Sequence, residues 1–227
     1  MSEIMKTQGR SINQRHLERT IDCLSQGEII VVPTEAGYCF AGKADLKKTH
    51  AQLLGLREAH PKNKPFSLLC KDAKQISSIS QLSTSAYRIL NKVLPGPFTL
   101  ILPVHRDTPK NSTGEFRATV GVRMTAHPVT SNLLELLDSP LMVTSVTDAE
   151  ELIKEGYLDD DYEEAMERWW TTAEGILAHK KGAPKILLAG EEPMLMRVST
   201  IIDLSDDNKF KILRDGGWEM QGLGDVF

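Results

Sequence analysis

No stretch of this 227-residue chain approaches the roughly 20 consecutive apolar residues that a bilayer-spanning helix needs. The longest apolar runs, Glu28–Val32 and Thr99–Val104, have the length of strands. The opening residues, Met1–Arg10, are polar and mixed in charge, with no apolar core before a small-residue cleavage site. A secretory leader is therefore not expected, and the expectation is a cytoplasmic protein with no membrane partner. Cysteine is scarce: Cys23, Cys39 and Cys70 lie too far apart for metal-ligand spacing, which argues against a structural zinc site or any other protein-held metal. Each sits in an apolar run, where a free thiol behaves as a small hydrophobe and suits a reducing compartment. Also missing are the dinucleotide fingerprint, the Walker loop, the Gly-x-Ser-x-Gly elbow and His-Glu-x-x-His. The six histidines show no ligand spacing.

What is present is an ordinary globular composition, 41% hydrophobic and 26% charged, and a length that one α/β domain, residues 1–227, can occupy. The net charge of −4 is unevenly spread. Eight Lys/Arg against three Asp/Glu fall between Lys43 and Lys74, and ten acids against one Lys between Asp148 and Glu167. The acidic balance argues against tight non-specific nucleic-acid binding. The basic segment suits a small anionic ligand or is a solvated helix face. No feature requires an oligomer.

Apolar periodicity predicts a helix over Ile12–Ser25, stopped by Gly27, then a strand Glu28–Val32 ending at Pro33 and a return strand Tyr38–Gly42. Asp45 is a candidate cap for a helix to Arg57, with Leu46, Leu53 and Leu56 inward. A polar loop His60–Lys64 and a strand Pro65–Cys70 follow. Ser83 is placed to cap a helix through Val93, ended by Pro95-Gly96-Pro97. Next come a strand Phe98–Val104, a polar loop over 107–118, a strand Val120–Met124, a helix Pro128–Leu137 and a strand Leu141–Val146. An acidic helix around Asp159–Thr172 precedes strands at Ile186–Leu188, Val198–Leu204 and Phe210–Leu213. Trp169-Trp170 in that helix is either a docking or lid element or one buried Trp on an exposed helix. Interleaved helices and strands with tight returns near both ends indicate a mixed, partly antiparallel α/β sheet.

Polar residues cluster where strands end, the usual place for ligands in open α/β sheets. Thr34 and Tyr38 flank the first turn, either to orient a ligand or simply to cap the turn. Arg57, Lys64 and Ser67 supply two cations and a hydroxyl, a set that suits a polyphosphate. Arg123 interrupts an apolar strand, where a charge needs a partner or a ligand. Thr144-Ser145, Ser199-Thr200 and Arg214-Asp215-Gly216-Gly217 stand at other strand ends.

The order of these segments resembles the YrdC/YciO family. The matching segments are Pro33-Thr34-Glu35-Ala36-Gly37-Tyr38, Lys64-Pro65-Phe66-Ser67-Leu68 and Leu94-Pro95-Gly96-Pro97-Phe98-Thr99-Leu100-Ile101-Leu102. Val120-Gly121-Val122-Arg123 with His127-Pro128, Ser199-Thr200-Ile201-Ile202-Asp203 and Ile212-Leu213-Arg214-Asp215-Gly216 complete the set. The resemblance implies a YrdC-like twisted mixed sheet with flanking helices and a concave, positively charged cavity. In the catalytic branch that cavity combines L-threonine, bicarbonate and ATP into threonylcarbamoyl-adenylate for tRNA modification. By family position, Thr34, Tyr38 and Arg123, with Ser67, would hold the substrate, and Arg57, Lys64, Ser145, Ser199 and Arg214 the nucleotide. Magnesium would arrive with ATP, bound to phosphate oxygens rather than a protein cage. Two positions differ from the synthase branch: Gly55 stands where its Lys-x-Arg motif has Lys, and Thr147 where its Ser-x-Asn motif has Asn. These changes, and the ending Gly224-Asp225-Val226-Phe227, resemble the YciO branch. The alternative is therefore a nucleotide-sensing or RNA-binding protein without synthase activity, with tRNA or double-stranded RNA as partner.

Overall fold

The structure is a computed structural model that describes residues 2–7, 12–57, 65–105, 118–148, 164, 168–180, 184–190, 194, 196–207 and 209–219. Strand β1 spans Glu3–Lys6. Asn13 then caps α1, Gln14–Ser25, its side chain accepting from the Arg15 amide at 2.9 Å. Gly27, at φ +71°, ends the helix and turns the chain into β2, Ile30–Thr34. A two-residue turn leads to β3, Gly37–Lys43. Gly37 has φ +102°, a conformation that strains any residue with a Cβ.

The first strand thus starts later than its composition predicts and runs through Pro33. At that level only β3 pairs with β2, because β8 contacts it at Ile30 and Val31 alone. Pro33 therefore removes no ladder bond on its outer side, and its carbonyl instead accepts from Thr130 Oγ1 at 2.5 Å.

Helix α2 runs Lys47–Leu56 with Leu46, not Asp45, at its N-cap and no side-chain cap bond. Leu53 is fully buried, and Leu56 packs against the same core. Strand β4 is Ser67–Leu69. Helix α3, Ala73–Ile79, was not expected: it turns Ala73, Ile76 and Ile79 to the core over only seven residues, and Asp72 caps it, accepting from the Gln75 amide. Ser83 caps α4, Thr84–Val93, as predicted, accepting from the Ala86 amide at 3.1 Å. Strands β5 (Phe98–Pro103) and β6 (Thr119–Arg123), helix α5 (Pro128–Glu135) and strand β7 (Leu141–Ser145) follow. A single 3-10 turn at Trp169–Thr171 leads into α6, Ala173–His179, also unpredicted. Most of the acidic stretch before it, the loop His60–Lys64 and the last residues lie outside the described residues. The chain ends with β8 (Ile186–Ala189), β9 (Thr200–Asp203) and β10 (Lys211–Arg214).

The ten strands of the described residues form one mixed sheet in the order β1-β8-β2-β3-β7-β4-β6-β5-β9-β10. Paired residues share a face and faces alternate along each strand, so the registers divide the sheet into a front and a back. On the back, α2 and α6 seal Val31, Tyr38, Phe40, Met142 and Leu187. Further along that face, α3 and α4 seal Leu100, Leu102, Val122 and Ile202. On the front, α1 and α5 cover Ile30, Val32, Cys39, Ala41, Leu69, Leu141 and Val143. That front core stops at β4: among the described residues no front-facing residue of β6, β5, β9 or β10 belongs to an apolar cluster.

Candidate functional site

The part of the front face outside these apolar clusters is where most of the polar strand-end residues meet. Ser145 is opposite Cys39, Ser67 opposite both Val143 and Gly121, and Arg123 lies two residues beyond Gly121 on the same face. A Cβ added to Gly121 would stand 3.2 Å from Ser67 Oγ and 3.4 Å from Thr99 Cγ2, so this glycine leaves room between two hydroxyl-bearing side chains. Thr99 Oγ1 is 3.1 Å from Ser199 Oγ. Arg214 donates to the Ser199 carbonyl from Nε at 3.0 Å and to Ser199 Oγ from Nη2 at 2.9 Å, which fixes its guanidinium plane. Five inter-strand spacings of about 4.8 Å separate β7 from β10, about 24 Å of sheet.

Arg123 stands at the inner edge of this strip, where α5 cover ends. It is 7% exposed, and its Nε and Nη2 have no hydrogen-bond partner. A buried guanidinium with unsatisfied donors is costly, so strand β6 holds it there against its own solvation. Its neighbour is the Cys39 thiol. Burial pushes that thiol up from its ordinary 9.0, and the opposing pull of the Arg123 charge and of a bond with Thr34 does not reverse the rise.

The remaining predicted residues have other placements. The Thr34 hydroxyl accepts from the Ala36 amide at 3.2 Å and donates to the Gly37 carbonyl at 2.7 Å, locking the turn beneath the site. Tyr38 lies on the back face, fully buried, and its hydroxyl accepts from the Gly190 amide at 3.0 Å. Arg57 approaches from the back at the open end of β7. It donates to Thr144 Oγ1 at 3.0 Å and stacks on Phe66, with Cζ 3.7 Å from the ring centroid. His50 meets the same ring edge-on at 4.9 Å. Lys64 lies outside the described residues. The structure therefore brings Ser67, Arg123, Ser145, Ser199 and Arg214 onto one face over the Thr34 turn, and places Arg57 and Tyr38 on the back.

Two residues of this region carried no sequence expectation. Glu35, in the β2–β3 turn, accepts from Thr125 Oγ1 on Oε2, while its buried Oε1 has no partner. Glu and Thr at those positions read as ordinary turn residues; only their convergence shows otherwise. No group of three or more His, Cys, Asp or Glu side chains among the described residues is placed to hold a metal. Among those residues, no helix is long and apolar enough to cross a membrane.

The Sua5/YciO/YrdC family model, described as telomere recombination, matches residues 22–216. The chain belongs to this family. The uncharacterized protein YciO of Escherichia coli K12 is 27% identical over all of this chain and 98% of its own length. The threonylcarbamoyl-AMP synthase of Yersinia enterocolitica is 32% identical over 60% of this chain and 72% of its own. The crystal structure of E. coli YciO superposes with a TM-score of 0.76 at 24% identity, covering 97% of this chain and 98% of that one. P. abyssi Sua5 complexed with L-threonine superposes with a TM-score of 0.78 at 22% identity over 99% of this chain and 61% of that chain. At such identities the structural matches establish the fold. The Sua5/YciO/YrdC fold is thus shared along the full described sheet, and sequence similarity to the synthases covers part of it.

Proposed function

We propose that this protein binds ATP and an amino-acid substrate on the open front face and joins them in a reaction of the threonylcarbamoyl-adenylate type. The observation that carries this reading is the buried Arg123, with two unpartnered N–H groups beside a strip of hydroxyls and Arg214. A fixed cation with spare donors is preorganised for an anionic ligand and needs no reorganisation when that ligand arrives. With L-threonine and bicarbonate, the amine attacks the bicarbonate carbon, a C–O bond breaks and water leaves, giving a carbamate. A carbamate oxygen then attacks the α-phosphorus and pyrophosphate leaves. The work left to the protein is positioning and neutralisation of phosphate charge. Ser145, Ser199, Arg214 and Arg57, with Lys64, would take the nucleotide; Ser67 and Arg123, over the Thr34–Tyr38 turn, would take the substrate. Magnesium would enter on the phosphate oxygens of ATP. The product would serve tRNA threonylcarbamoyladenosine formation in the cytoplasm.

The test is pyrophosphate release from ATP with L-threonine and bicarbonate, each omitted in turn. Turnover that requires all three supports the reading; ATP binding without turnover removes it. Arg57→Ala should weaken ATP binding at least tenfold by titration calorimetry, since it deletes the cation stacked on Phe66.

A second reading rests on Gly55. A Cβ there would meet nothing within 4 Å, so packing does not forbid a lysine, yet the chain has none. Such a site would keep nucleotide or RNA binding without synthesis. RNA affinity that failed to fall with added salt would remove the RNA version.

A further inference from the structure

The described residues between β8 and β9 touch two separate parts of the molecule, the β2–β3 turn and the Arg214 anchor. The segment leaves β8 at Gly190, whose amide donates to the Tyr38 hydroxyl at 3.0 Å. A Cβ added to Gly190 would stand 3.3 Å from Pro33 Cβ, so the chain passes close against the strand that enters the turn. Met194 then donates its amide to the Thr171 carbonyl at 2.8 Å. Met196 lies directly on the turn. A Cβ on Gly37 would overlap Met196 Sδ and stand 3.2 Å from its Cε and 3.4 Å from its Cα. Side chain and backbone of Met196 thus fill the space that any other residue would need at position 37.

Three residues later the same segment reaches Ser199. Val198, Ser199 and Thr200 are buried and clamped from the other side. The Trp218 indole donates to the Val198 carbonyl at 2.7 Å, the Gly216 amide donates to Thr200 Oγ1 at 2.9 Å, and Arg214 donates twice to Ser199. Three residues span at most about 10–11 Å. The position of Ser199 therefore limits where Met196, and with it the turn, can sit.

We infer that Met196 is a positioning residue that ties the β2–β3 turn to the Arg214–Ser199 anchor, so that a nucleotide held at the anchor also orders the turn. A ligand that fixes Ser199 removes freedom from the residues leading back to Met196. A second ligand over the turn then meets a smaller ordering cost. By linkage each ligand tightens the other. The unbranched thioether suits this post, because it fills an irregular gap against backbone without demanding a fixed shape. This inference rests on the reading of the front face as a joint site for nucleotide and substrate, and adds to it a route by which the two halves are coupled.

The experiment is hydrogen–deuterium exchange of the full chain with and without a non-hydrolysable ATP analogue and magnesium. It is read on the peptide covering 33–40 and, as a control, on α1. The analogue should slow exchange at the turn about fivefold or more in the natural sequence and in Met196→Leu, and less than about twofold in Met196→Ala. Its affinity by calorimetry should stay within about threefold in all three, since Met196 sits on the turn and not at the anchor. Trp218→Phe loses the bond to Val198 but leaves Met196 in place, and should lower the protection without abolishing it. That variant carries the test if Met196→Ala does not fold. Unchanged protection in either variant, or analogue bound without protection of the turn, would overturn the inference and leave the proposed function standing. No analogue binding to the natural sequence would overturn both. Protection relayed through Met196 without pyrophosphate release from ATP, L-threonine and bicarbonate would sustain the inference and remove the proposed function.

Discussion

Strands β2, β3 and β7 and strands β6, β5 and β9 belong to one sheet, but only the first group is sealed on both faces. Its front carries Val32, Cys39, Ala41 and Val143 under α1 and α5, and its back carries Val31, Phe40 and Met142 under α2 and α6. Among the described residues the second group has helices behind it only. Its front carries Gly121, Arg123, Thr99, Ile101 and Ile201, and Ser199 and Arg214 flank it. The same backbone ladder thus serves as core in one region and as a binding floor in the other. The difference lies in which elements the chain lays across the front, since hydrogen bonding between strands is indifferent to it.

The sharpest way to test this contrast is to remove a side chain from the doubly covered region. Leu133 is fully buried between α5 and the sheet, and Leu133→Ala should cost about 2–5 kcal/mol in urea unfolding. Ile101→Ala, on the partly exposed front of β5, should cost less than half of that. Equal costs would mean that the front of β5 is covered after all.

Arg123→Met inverts the pattern. Removing a buried, unsatisfied cation should leave the melting temperature unchanged or raise it, while ligand affinity falls about 30-fold or more, equivalent to about 2 kcal/mol. A clear drop in stability would make Arg123 part of the core instead of the floor.

The sealed thiols give a pH dependence. Burial, helped by the Asp72 charge, pushes Cys70 from 9.0 up to about 12. The unfolded chain therefore releases this proton at lower pH than the folded one. The stabilisation is complete below pH 9 and is lost as pH rises from there toward 12. The slope is at most about 1.4 kcal/mol per pH unit for one thiol. Urea midpoints between pH 8 and 10.5 should show this decline, and Cys70→Ala should flatten it. An unchanged slope would show that the thiol is reached by solvent.

The smallest effect is expected at Gly55, exposed in α2 with open space around its Cβ. Gly55→Lys should stabilise the helix by about 0.5–1 kcal/mol, because a straight-chain residue loses less backbone entropy there. It also adds a cation near Arg57. A gain in ATP affinity or turnover would show that the missing charge limits the site; a gain in stability alone would show that it does not.

Much of the fold was legible because it is written in local chemistry. Ser83 caps α4, Gly27 stops α1, and the apolar runs at Val31, Leu100 and Met142 became strands for the reasons their composition states. Other elements were silent. Glu3–Lys6 becomes a strand only because β8, some 180 residues later, offers it a parallel edge, with Glu3 opposite Ile186 and Lys6 opposite Ala189. Helix α3 fully buries a single side chain and is seven residues long, too short for its Ala73, Ile76, Ile79 spacing to stand out. The candidate site was legible as a set of residue types at strand ends, but not as a geometry. Tyr38 and Thr34 flank one turn, yet they differ in face, and the Tyr38 hydroxyl is taken by Gly190, a residue 152 positions away.

The sequence alone determined the α/β class, the capped helices, the family segments and the unusual position of Arg123 in an apolar strand. Each depends on residues close together in the chain, where side-chain period and turn chemistry act directly. The tertiary structure alone decided that Ser67, Thr99, Arg123, Ser199 and Arg214 share one face, that Thr125 holds Glu35, and that no helix among the described residues belongs to that face. Those outcomes depend on strand order and register. Both are set by contacts between distant segments, to which no local pattern is sensitive.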